Sequence, residues 1–127
     1  MKQLKNVKFY YTVMKFEVEV ISEEVLPAVR SMIASGLKED YGLKQREIAR
    51  KLGVTQPAVS NYLNGSRADQ KVIDAMNSDP QIELLVEDAT SLAVENEDYS
   101  DEVSQIIWNI RDKGLIKEKF SDTEKII

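Results

Sequence analysis

Gln56, Pro57, Ser60, Asn61 and Asn64 fall on one side of any helix drawn through them with a 3.6-residue period. Gln and Asn amides carry donors and an acceptor in one plane, the pattern that pairs bidentately with an adenine edge, and Pro57 and Ala58 offer apolar surface to a thymine methyl. No residue of this face is acidic or large and apolar. Lys44, Arg46 and Arg67 flank it, where phosphates would lie beside a helix inserted into a groove. That chemistry is recognition and not reaction. The chain has no cysteine and no histidine, which removes the thiolate nucleophile, the disulfide, the zinc knuckle and the imidazole base. No nucleophile–base constellation is visible, so no enzyme activity, cofactor or metal is expected.

Two short helices must hold that face. In Lys44-Gln-Arg-Glu-Ile-Ala-Arg-Lys-Leu-Gly-Val-Thr-Gln-Pro-Ala-Val-Ser-Asn-Tyr-Leu-Asn-Gly-Ser-Arg67, Ile48, Ala49 and Leu52 share one side of the first helix. Gly53 permits the positive φ of a sharp turn, with Val54 plugged beneath it. Thr55 suits the N-cap of the second helix, and Pro57 sits in its first turn, where a missing N–H costs nothing. Val59, Tyr62 and Leu63 form its inner side, and Ala49 is small where the helices approach. Together these describe a helix-turn-helix whose recognition helix runs about Gln56–Leu63.

The remaining chain reads as mainly helical. Its 127 residues are 43% hydrophobic and 31% charged, a globular balance, without an apolar run long enough to span a membrane or an N-terminal signal peptide. A soluble, cytoplasmic protein is expected. Residues 7–21 alternate apolar and polar side chains, as in Phe16, Val18 and Val20 against Lys15, Glu17 and Glu19, which predicts a β-strand. The competing reading has Phe16–Ile21 opening the next helix. Ser22 is then an N-cap for a helix to about Tyr41, stopped at Gly42, with Pro27 tolerated if the first turn is loose. Further helices are expected over Ala68–Asn77, Gln81–Glu95 and from a Ser100-Asp-Glu cap to Gly114.

Charge divides along the chain. Residues 1–67 hold 11 Lys and Arg against 7 Asp and Glu, a net +4, whereas residues 68–127 hold 6 against 15, a net −9. Lys44–Arg67 alone has five cations (Lys44, Arg46, Arg50, Lys51, Arg67) to one carboxylate, Glu47. A local field decides where a polyanion docks, so the overall −5 does not exclude DNA.

The segment Gln45–Gly65 resembles the Cro/phage-repressor (XRE-type) helix-turn-helix and is similar to small predicted archaeal transcriptional regulators. In those, as in Leu26-Pro-Ala-Val-Arg30, a Leu-Pro-Ala-x-Arg helix precedes the motif. The resemblance covers about Val25–Arg67. It implies base contacts from Gln56, Ser60 and Asn61 and phosphate contacts from Gln45 and Thr55. Relatives often carry Cys or His near their C-terminal helix, and this chain has neither.

The expected fold is thus a mainly all-α helix-turn-helix bundle of about five or six helices with an N-terminal β-strand extension. Residues 1–21 would be the extension, 22–78 the DNA-binding domain and 79–127 a helical dimerisation region. The expected function is sequence-specific transcriptional regulation through double-stranded DNA as a homodimer. An interaction module such as an antitoxin, its acidic C-terminal half binding a partner protein, is the alternative. Trp108, among Ile106, Ile107 and Ile110, reads as a core or subunit contact, and Glu95–Asp101 as a solvated loop.

Overall fold

Pro27 shapes the way the chain enters its first long helix. In the computed structural model, which describes residues 18–120, residues 18–20 are already helical and Ile21–Val25 form a π-helical turn. There the Leu26 N–H donates to the Ile21 carbonyl, five residues back. Helix α1 (Leu26–Glu39) continues directly, leaving Pro27 inside a helical run. Such a proline has no N–H to give and crowds the carbonyl four residues behind it, and the wider π turn accommodates both effects.

Two expectations are corrected here. Residues 18–21 are helical and not strand, and Ser22 lies within the π turn instead of capping a helix. A few alternating residues fit the first turns of a helix as well as a strand, and Val25 and Val29 continue the helical period into the core. The rest of the expected strand, residues 7–17, lies outside the described residues.

The remaining helices are α2 (Gln45–Leu52), α3 (Gln56–Leu63), α4 (Gln70–Asn77), α5 (Pro80–Val94), α6 (Ser100–Lys113) and the short α7 (Lys117–Phe120). No strand occurs among the described residues. The mainly all-α expectation therefore stands for the described residues. Helix α1 is the central post, packing against α2, α3, α4 and α5, and α6 folds back along α5. Ala28, Val29, Ile33, Ala34 and Leu37 from α1 meet Ile48, Val59, Val72, Met76, Ile82 and Ala89 from its neighbours in one core. Gly36 lets α1 approach α5 closely, since a Cβ there would stand 3.1 Å from the Thr90 Cγ2.

Carboxylates start three helices. The Asp79 side chain accepts from the Gln81 and Ile82 N–H groups at 3.0 and 3.1 Å, and Asp69 accepts from the Lys71 N–H at 2.9 Å. Asp98 accepts from the Ser100 N–H at 2.9 Å, so the polar cap expected of Ser100 belongs to the residue two before it. Lys113 closes the α5–α6 hairpin on Asp79 at 2.9 Å, and Lys119 joins Asp69 at 3.1 Å and Glu24 at 3.6 Å.

These contacts set the acid response. The Lys113 ammonium, and then the Ile82 N–H, hold the Asp79 carboxyl below its usual value of 3.8. The Lys71 N–H, and then Lys119, do the same for Asp69. Stability from a depressed carboxylate is fully present above the unfolded value and is lost as pH falls through the folded one. Asp79→Asn should therefore be less stable than the parent near neutrality, with the gap closing below about pH 3.8. Urea melts at a series of pH values test this, and a gap independent of pH would show that the carboxylate charge contributes nothing.

Candidate nucleic-acid interface

The turn between α2 and α3 is built as its residue types require. Gly53 adopts φ 66°, ψ 35°, and its neighbour Val54 donates to the Ala49 carbonyl at 3.0 Å while packing against the core. Thr55 Oγ1 accepts from the Ala58 N–H at 3.2 Å, which caps α3 and leaves the hydroxyl hydrogen available to a phosphate. Ala58, Val59 and Tyr62 face the core. Ala58 is thus a packing residue, not the thymine contact its position suggested, because it lies on the side of α3 that turns inward.

The opposite side of α3 is open. Gln56, Pro57, Asn61 and Asn64 are exposed and Ser60 is half-buried. Asn64, the C-cap residue, spends its amide oxygen locally, accepting from both the N–H and the hydroxyl of Ser66. Its amide nitrogen remains as a donor, but the two-point adenine pairing needs the oxygen as well. Gln56 and Asn61 are therefore the better placed amides of the face.

Ser31 anchors α3 from behind. Buried on α1, its hydroxyl donates to the Tyr62 carbonyl at 2.9 Å, satisfying an acceptor in the last turn of α3. Its partner is 31 residues away, and no local pattern marks it. Ser31→Ala should lower stability by about 1–3 kcal/mol by leaving that buried carbonyl unpaired, a change that denaturant unfolding would register.

The five cations of the segment divide into two sets. Lys44, Arg46, Arg50 and Arg67 are exposed. Lys51 turns away to donate to the Val94 carbonyl and to Asn96 Oδ1, both at 2.9 Å, at the C-terminal end of α5. It clamps the motif to the rest of the bundle, and the Tyr99 hydroxyl reinforces the joint through the Lys51 carbonyl at 3.4 Å. Arg67 stacks its guanidinium over the Tyr62 ring, 5.6 Å from the centroid, keeping the edge N–H donors for other partners. Gln45 and Arg46 begin α2, whose N-cap residue Lys44 makes no side-chain cap. The first N–H groups of that helix are left without the side-chain acceptor that α3 has in Thr55.

Behind α3, a cleft of about 550 Å³ opens between α1, α4 and α5. Asp40, Glu83 and Glu87 line it, so this side repels a polyanion that the cations around α2 and α3 attract. The cations around α2 and α3 and the exposed amides of α3 thus share one side of the motif, away from the acidic cleft.

The geometry of α2, the Gly53 turn and α3 is that of a helix-turn-helix. Residues 37–84 match the family model described as helix-turn-helix, of the Cro/C1 type, from the last turn of α1 into α5. No curated protein and no solved structure matches the chain. The match supports a DNA-binding transcriptional regulator acting on double-stranded DNA.

Proposed function

We propose that the protein binds operator DNA as a homodimer, with α3 in the major groove and sequence read by Gln56, Ser60 and Asn61. Pro57 lies against the base edges and Asn64 donates from its free amide nitrogen. Lys44, Gln45, Arg46, Thr55 and Arg67 contact phosphates, and Arg50, exposed one turn beyond Arg46, joins them. The observation that carries this reading is the outer side of α3, polar and uncharged with the Gln56 and Asn61 amides exposed, on a helix seated by its buried side and the Ser31 bond.

One such helix reaches only a few base pairs, and two-fold pairing of recognition helices about 34 Å apart extends the site across successive major grooves. Such a dimer on a promoter represses by occlusion. The N-terminal part through α4 binds DNA and the helices from α5 onward pair the copies. The protein works by binding and not by catalysis. No described helix is long and apolar enough to cross a membrane, and the proposed place of action is the cytoplasm.

Selection of bound duplexes from a random pool tests the proposal. An inverted repeat with half-sites one helical turn apart is the expected product, and no enrichment would overturn sequence-specific binding. Arg67→Ala should weaken specific and nonspecific duplexes alike. It should lower the steepness of log K against log salt by about one, because one phosphate contact is lost. Binding titrations at several salt concentrations measure both.

A further inference from the structure

The cleft behind α3 has the volume of a small-molecule site, about 550 Å³ where ligand cavities in general span roughly 300–1,000 Å³. Half-buried Met32, Leu63 and Ile73 and the buried Val86 give it apolar surface, and no lysine or arginine lines it.

Its buried hydroxyls are acceptors in want of a donor. Ser31 and Thr90, both in its wall, are only 5% and 4% exposed. Ser31 gives its hydrogen to the Tyr62 carbonyl at 2.9 Å and Thr90 gives its own to the Val86 carbonyl at 2.7 Å. Each oxygen keeps lone pairs that no donor among the described residues reaches. Three exposed carboxylates, Asp40, Glu83 and Glu87, also line the cleft and form no ion pair among the described residues. Glu83 and Glu87 stand one turn apart on α5, so they present their charge to the same side.

Buried acceptors and unpaired carboxylates around an apolar wall suit one kind of ligand. An ammonium group offers three donors and no acceptor, and the aliphatic side chains take an apolar body attached to it. An anion is repelled, and a neutral solute leaves the carboxylates unmatched.

The cleft also reaches the seat of the recognition helix. Tyr62 and Leu63, from the last turn of α3, stand in its wall. Tyr62 accepts the Ser31 bond through its carbonyl and carries the Arg67 guanidinium over its ring. A bound cation supports that turn from behind and neutralises carboxylates that repel a polyanion.

We propose that this cleft is an effector site for a small organic cation, a primary amine on an apolar body, and that its occupation strengthens the hold of α3 on DNA. The second half rests on the DNA-binding reading above, whereas the site itself is tested on the chain without DNA.

The experiment is a calorimetric titration of the full chain with 4-phenylbutylamine, beside its neutral and anionic counterparts 4-phenylbutanol and 4-phenylbutyrate. The amine should bind at one site per chain, the alcohol at least about tenfold more weakly and the acid not at all. Glu83→Gln combined with Glu87→Gln, both on the exposed side of α5, should cut amine affinity at least about tenfold and leave the melting temperature unchanged. With the amine saturating, the selected operator duplex should bind at least about fivefold more tightly to the parent chain.

No binding of the amine, equal affinity for amine and alcohol, or a double variant that binds the amine like the parent would overturn the site. An amine that fills the cleft and leaves duplex affinity unchanged would overturn the coupling. A chain that binds no duplex with or without the amine would overturn the DNA-binding reading, with the site still decided by the calorimetry.

Discussion

Asn61→Ala is expected to lose discrimination at its own base position by about 1–3 kcal/mol, roughly 5- to 150-fold, while binding to nonspecific duplexes hardly changes. The side chain is exposed on α3, and its one internal contact is a long 3.4 Å approach from the Ser66 hydroxyl. The stronger support of that turn, Ser66 N–H to the Asn61 carbonyl at 3.0 Å, uses backbone that alanine retains. Alanine also favours helix over asparagine, so the variant should fold at least as well as the parent. Loss of operator binding then reports a missing base contact and not a damaged motif. Gln56→Ala should act in the same way at a different base, because it stands at the opposite end of the same face. Titration of the operator, its single-base variants and a random duplex decides the matter. Equal loss on every duplex would place Asn61 on the phosphates and undo the assigned role.

Ile48→Ala is expected to have the larger effect on stability, about 2–5 kcal/mol, because it removes a fully buried side chain and leaves a cavity. Ile48 lies on the inner side of α2, in the core that α1 shares with the helix-turn-helix. The total stability of a domain this size is about 5–15 kcal/mol, so the loss is a large share. At about 4 °C per kcal/mol, the melting temperature should fall by about 8–20 °C. Below its new melting temperature the variant should still recognise the operator, since Ile48 touches no part of the outer face. A shift of only a few degrees by calorimetry would show that the surroundings collapse around the smaller side chain.

The two variants separate what was legible in the sequence from what was not. The motif could be read because its requirements are local. Gly53 at positive φ, Thr55 capping Ala58 and the 3.6-residue spacing of Val59, Tyr62 and Leu63 all lie within one short segment. The same local logic misjudged the entry to α1. Alternation through residues 16–21 is too short to tell a strand from the start of a helix, and the role of Pro27 depends on where that helix begins. Composition could count five cations in Lys44–Arg67, but not which of them faced solvent.

By itself the sequence determined the helix-turn-helix, the side of α3 that faces outward, and the exclusion of cysteine and histidine chemistry. Each of these follows from residue type and spacing over a few turns, where backbone geometry does the sorting. Only the tertiary structure decided that Lys51 leaves the basic set to cap α5, 43 residues away, that Ser31 seats α3, and that Asn64 gives its oxygen to Ser66. It likewise turned Ala58 inward and Trp108 outward. The physical reason is that a side chain with several possible partners takes the one packing brings within reach, and packing joins helices distant in sequence.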